Sequence, residues 1–205
     1  MATASLSKFT VPLASDQSAS AQGLLMPKLG FRFRVSFENF GVSNPKTELT
    51  KQVMEAKRPN PSFEEIKVDA YNSVVKLAGK PSWADLTVKL RDDATGSVTR
   101  LVGEQLQKQF DFMNQASAAA GIDYKFLTRI EMLDGGNGAS APNVLETWEC
   151  VGCFLKSVDY GSLNYGSNEV VTIDLTITPD NCTQSPIGTG VGSAVARKLG
   201  TVITG

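Results

Sequence analysis

Histidine is absent from all 205 residues. That removes the side chain that most often serves as general base near neutral pH and is the commonest metal ligand, so Ser-His-Asp and Cys-His mechanisms are excluded. An excess of either charge is missing too: 20 Lys and Arg stand against 21 Asp and Glu, a net charge of −1. A protein that grips nucleic acid by neutralising phosphates needs a basic surplus. No apolar run approaches the roughly 18 residues of a membrane span. The opening stretch MATASLSKFTVPLASDQSAS also lacks a continuous apolar core, so no secretory signal is expected.

Cysteine is scarce, with three in the chain, although Cys150, Val151, Gly152 and Cys153 spell CxxC. Redox pairs of this spacing sit at a helix start, and structural zinc usually takes four ligands. Here the surroundings read as a strand, which would hold Cys150 and Cys153 about 10 Å apart, beyond the roughly 7 Å limit for a disulfide. Buried free thiols in a reducing compartment are the expectation, with no metal, no cofactor and no enzymatic constellation. The run DGGNG from residue 134 lacks the GK[ST] of a phosphate loop and precedes a strand.

What the chain does contain is alternation. Phe31, Phe33, Val35 and Phe37 alternate with Arg32, Arg34, Ser36 and Glu38, and Val171, Ile173, Leu175 and Ile177 alternate with Thr172, Asp174 and Thr176. This is the period of a strand with one buried face. Strands are expected over 31–38, 49–56, 64–69, 74–77, 83–91, 125–133, 145–157 and 170–178. The prolines of RPNP (58–61) are expected to preclude regular pairing there. Residues 148–180 read as strand, Gly/Asn/Ser/Tyr-rich turn and strand, with no catalytic constellation.

One helix interrupts the pattern. Over 97–119, Val98, Leu101, Val102, Leu106, Phe110 and Met113 recur at helical spacing, and Gly121 is expected to end it. Its polar side mixes both charge signs, which suits a helix covering the protein's own sheet better than one lying on a membrane. Residues 1–29 and 181–205 are poor in core residues and read as extended arms on a domain of 30–180, with a short turn of helix at 193–199. The fold class expected is mainly β, a barrel or sandwich of about seven or eight strands with one packed helix.

Four segments carry a resemblance: GLLMPKLGFRFRVSFENFG (23–41), WADLTVKLRDD (83–93), the helix with its Phe-x-Phe-Met, and SVDYGSLNYGSNEVVTIDLTI (157–177). In this order they resemble the tail-tube proteins of contractile-tailed phages of the T-even type, over about residues 30–180. The resemblance implies a structural subunit that forms stacked homo-hexameric rings inside a contractile sheath, works with sheath, baseplate and tail-terminator proteins, and lets DNA pass without specific binding. Its place would be the virion tail, assembled in the host cytoplasm.

Asp85, Thr87, Lys89, Thr172, Asp174 and Thr176 would then line the lumen, an ordinary solvated face being the other reading. Arg58, Asn60, Asn137 and Asn143, in two loops, would meet the next ring. The two arms lie outside the family core and would tie rings or reach the sheath. Cys182 would be free to pair with another subunit. A tube of a type VI secretion or other contractile injection system fits the same pattern. A β-sandwich capsid-decoration or carbohydrate-binding module is the alternative of a different class, and it would need an aromatic platform built on Trp83 or Trp148.

Overall fold

The computed structural model describes residues 28–43, 47–133, 142–166 and 168–185. The chain divides into two units between Arg32 and Phe33. Of the first unit, residues 28–32 are described: the Arg32 amide donates to the Leu29 carbonyl (3.2 Å), and the Arg32 guanidinium lies 5.4 Å from the centre of the Phe31 ring. Most of the expected N-terminal arm, and the turn of helix expected at 193–199, lie outside the described residues.

In the second unit the elements are β1 (Phe33–Glu38), α1 (Thr47–Gln52), β2 (Val53–Ala56), β3 (Pro61–Ala70), β4 (Ser73–Trp83), β5 (Leu86–Arg91) and α2 (Ser97–Gln109). There follow β6 (Phe110–Asp111), β7 (Ala116–Ser117), α3 (Gly121–Tyr124), β8 (Phe126–Leu133), β9 (Val144–Asp159), β10 (Thr172–Thr178) and β11 (Asn181–Ser185). The mainly-β class with one substantial helix holds.

The main sheet runs β1-β8-β9-β10-β5-β2, every pair antiparallel, and β11 adds to β9 beside β10. Strict alternation builds its inner face: Phe126, Thr128, Ile130 and Met132 from β8, Ile173, Leu175 and Ile177 from β10, and Leu86, Val88 and Leu90 from β5 are all buried. Val98, Leu101 and Val102 of α2 close over them, and Leu49 is α1's contribution. Phe37, Phe40 and Phe126 form an aromatic cluster with ring centres 4.9–6.3 Å apart. Each such ring contributes roughly 1.5–3 kcal/mol by burial alone.

β9 belongs to both halves of this sheet. Residues 144–153 pair with β8, residues 147–151 with β11 on the other edge, and residues 154–159 with β10. The change of partner falls at Gly152, whose φ of +69° only glycine adopts cheaply; a Cβ there would lie 2.2 Å from Asp180 Oδ2. Beyond that point β8 no longer covers the strand. The Gln109 side chain of α2 does so instead, its Oε1 accepting from the Leu155 amide (2.8 Å) and its Nε2 donating to the Leu155 carbonyl (2.9 Å).

Several expectations are corrected. Residues 47–52 are helix rather than strand, because in this polar run Leu49 is the residue that reaches the core, and β2 starts only at Val53. Pro61 does not block pairing: it opens β3 opposite Trp83, a first-residue position where its missing N–H is tolerated. The expected strand 83–91 is split, since Trp83 ends β4 and β5 begins at Leu86. The helix stops at Gln109, ten residues short of 119. There the Asp111 carboxylate captures the amides of Met113 and Asn114 and the Asn114 side chain, stabilising a turn in competition with helix. Gly121 therefore opens α3 instead of closing α2. Finally, residues 181–185 are not extension but strand β11.

A polar tie joins α2 to the segment after β1. Glu104 accepts from the Val42 amide (2.9 Å), the Ser43 amide (2.7 Å) and the Ser43 hydroxyl (2.5 Å). Next to it buried Gln105 accepts from the Gly41 amide and donates to the Tyr124 carbonyl. The Ser43 hydroxyl and amide, with Val42 and Arg100, hold the Glu104 carboxyl down at about 2. A carboxylate whose folded pKa is depressed adds stability above its unfolded pKa and loses it as pH falls through the folded one. Glu104→Gln is therefore expected to lose roughly 1–2 kcal/mol at pH 7. Urea midpoints measured at successively lower pH will show the gap to wild type closing between about 4.5 and 2; a gap constant with pH refutes the assignment.

Candidate functional site

The features that set this surface apart are two extended faces. The first is the outer side of the β9-β10-β5-β2 half of the sheet. Register pairs Thr172 with Arg91, Asp174 with Lys89 and Thr176 with Thr87, and sets Glu55 of β2 against Lys89. The Lys89 ammonium lies 3.6 Å from the Asp174 carboxylate. Asp85, just before β5, accepts from Lys156 (2.6 Å) and from the Thr178 hydroxyl (2.7 Å), and the Lys156 bond leads in lowering its pKa.

The six residues expected to line a lumen, from two strands, thus share one face of the sheet. The sequence reading missed Glu55, Lys156, Ser157 and Asp159, which share it. Lys156 and Ser157 point outward in succession because β9 bulges against β10, where the register jumps from Thr176–Ser157 to Ile177–Leu155. A bulge breaks the two-residue period, so alternation alone would not have found them. The charges on this face interleave, Lys89, Arg91 and Lys156 standing among Glu55, Asp85, Asp159 and Asp174. Such a surface offers no basic track to a phosphate backbone.

The second face lies on the β3-β4 hairpin, which pairs with itself and with no other strand among the described residues. Register sets Ile66 opposite Leu77 and Val68 opposite Val75, so these four side chains share one side of the ribbon. Each of the four is about half exposed, between 46% and 52%. The other side carries Glu65, Lys67 and Lys76, joined by ion pairs of 3.3 and 3.5 Å. The hairpin is amphipathic, its apolar side half exposed among the described residues. A lone two-stranded hairpin is marginal in water, and an uncovered apolar side is costly.

Of the residues expected in ring-to-ring loops, Arg58 and Asn60 are exposed, and the Asn60 carbonyl accepts from the Ala84 amide (3.0 Å). An ion pair of 3.9 Å between Arg58 and buried Glu146 brings this segment beside the start of β9, next to exposed Asn143. Asn137 lies outside the described residues. The indoles offer no platform: Trp83 and Trp148 are partly buried against the core and donate to Asn181 and Glu146.

No family model matches the chain, and no curated protein matches it in sequence. Solved structures do. A chain from the baseplate of the anti-feeding prophage superposes with a TM-score of 0.58 at 17% identity, covering 80% of this chain and 99% of that one. A chain from the tube-terminating cap of the same particle gives 0.57 at 16%, covering 80% and 93%. One from the sheath-tube complex of the extracellular contractile injection system PVC gives 0.54 at 17%, covering 78% and 91%. At this identity what is shared is the fold, a tail-tube-like β fold also found in contractile injection particles.

Proposed function

We propose that this protein is the structural subunit of a contractile-tail tube, six copies closing each ring and rings stacking inside a sheath. The observation that carries the reading is the β3-β4 hairpin, whose half-exposed Ile66, Val68, Val75 and Leu77 find no covering partner among the described residues. A second copy is the partner that fits. Among the described residues β1 and β2 end the sheet, and their outer edges are further pairing sites, hazardous in a monomer and safe once neighbours close them into a ring.

In such a ring the polar face of Thr87, Lys89, Thr172, Asp174 and Thr176, with Asp85 at its end, lines the lumen. Its interleaved charges let DNA slide past without gripping it. Arg58, Asn60, Asn137 and Asn143 face the adjoining ring, and the sheath, baseplate and terminator proteins complete the tail of a virion. The function is the assembled shape, with no catalysis. The fold likeness to chains of extracellular injection particles favours a second reading, a tube of that kind carrying no genome. Negative-stain microscopy of the purified protein should show hollow six-fold rings or tubes, and a dispersed monomer at all concentrations would refute both readings. Packaged DNA in particles isolated from the source separates phage from injection device.

A further inference from the structure

Cys182 does not lie free in an extension: it sits in β11, 5% exposed, directly opposite Cys150 of β9, which is fully buried. All three thiols are free. Residues directly opposed in an antiparallel pair have Cα atoms about 4.5 or 5.5 Å apart, inside the roughly 4.4–6.8 Å that a disulfide spans. Their side chains leave the same side of the sheet, and the neighbouring Cys182 thiol pushes the Cys150 pKa up. Cys153 is engaged differently, its thiol donating to the Cys150 carbonyl (3.2 Å).

We propose that Cys150 and Cys182 form an oxidation-driven clasp, an intrachain disulfide that ties β11 to β9. A small hydroperoxide is sufficient oxidant. The Cys182 sulfur attacks one peroxide oxygen, the O–O bond breaks, and water or an alcohol leaves, giving a sulfenic acid on Cys182. The Cys150 sulfur then displaces the sulfenic oxygen as water, forming the S–S bond. Two thiols have lost two electrons and two protons, and the peroxide has gained them. Cys182 is the attacking partner because β11, among the described residues, pairs on one side only, so fraying opens it to a small molecule while Cys150 stays covered by β8.

Closing the clasp cross-links the chain around the whole of β10 and the loop before it, which removes disorder from the unfolded state. The full-length protein treated with hydrogen peroxide should drop from three titratable thiols to one. Digestion under non-reducing conditions should give a peptide pair joining Cys150 to Cys182, with a thermal midpoint higher by about 5 °C that dithiothreitol reverses. Cys153→Ser should leave the link intact, and Cys182→Ser should abolish it. A Cys150–Cys153 link, disulfide-bonded dimers, or three thiols surviving oxidation would each overturn the proposal. If Cys182→Ser does not fold, the peptide map of the unsubstituted protein decides alone.

Discussion

For the proposed ring, Val68→Lys combined with Val75→Glu is expected to abolish ring and tube formation while shifting the monomer's unfolding free energy by less than about 1 kcal/mol. The two positions are directly opposed across β3 and β4, so the new pair is of opposite charge and supports the hairpin's own pairing. What is lost is the apolar surface offered to a neighbour. Burying two valines contributes on the order of 3 kcal/mol or more to a contact, and covering two charged groups instead carries a desolvation cost of several kcal/mol. Repeated around a closed ring, that difference prevents closure. Lys67→Ala with Lys76→Ala, on the opposite side of the ribbon, should leave assembly unchanged. Sedimentation velocity and microscopy read both variants; rings persisting in the first would mean that its apolar side is not an interface.

The second large effect is at Gly152. Gly152→Ala should cost about 3 kcal/mol or more in urea unfolding. A left-handed conformation costs a non-glycine residue roughly 1–2 kcal/mol. The remainder comes from overlap, since the added Cβ would fall 2.2 Å from Asp180 Oδ2 in a place where Asp180 is held by Lys125 and by its own amide on the Val151 carbonyl. The two causes separate in a cycle. Asp180→Ala removes most of the overlap, so Gly152→Ala made in that background should cost only about 1–2 kcal/mol, the conformational part. An equal cost in both backgrounds would rule out the overlap, and a loss under about 1 kcal/mol would show that the strand accommodates a side chain there.

The strands that form the core were legible because burial and alternation coincide in them. β1, β8 and β10 each send every second residue inward, and their period is written plainly in Phe33 to Phe37, Phe126 to Met132 and Ile173 to Ile177. α2 was legible at its start and misread at its end, because Phe110 and Met113 keep helical spacing without being buried. Spacing says where a side chain would point on a helix, and Asp111 decides that no helix is there. α1 and β11 were missed for the opposite reason: short and polar, they are shaped by what they pack on rather than by their own composition.

The polar face of β5 and β10 could be read in advance, residue by residue. The apolar side of the β3-β4 hairpin could not. Ile66, Val68, Val75 and Leu77 show the same alternation as a core strand, and only the structure reveals that they stay half exposed on a hairpin that pairs with no other strand among the described residues. The Cys150–Cys182 pair was equally invisible, for the 32-residue separation means nothing until β11 is known to return alongside β9.

Because Val144–Asp159 is one unbroken strand shared by both halves of the sheet, load passing from one half to the other travels along covalent peptide bonds. Side-chain packing between layers can slip under shear; a backbone in tension cannot. β9 thus acts as a tie rod, and the two halves of the sheet should resist being drawn apart along it even where their side-chain packing gives way.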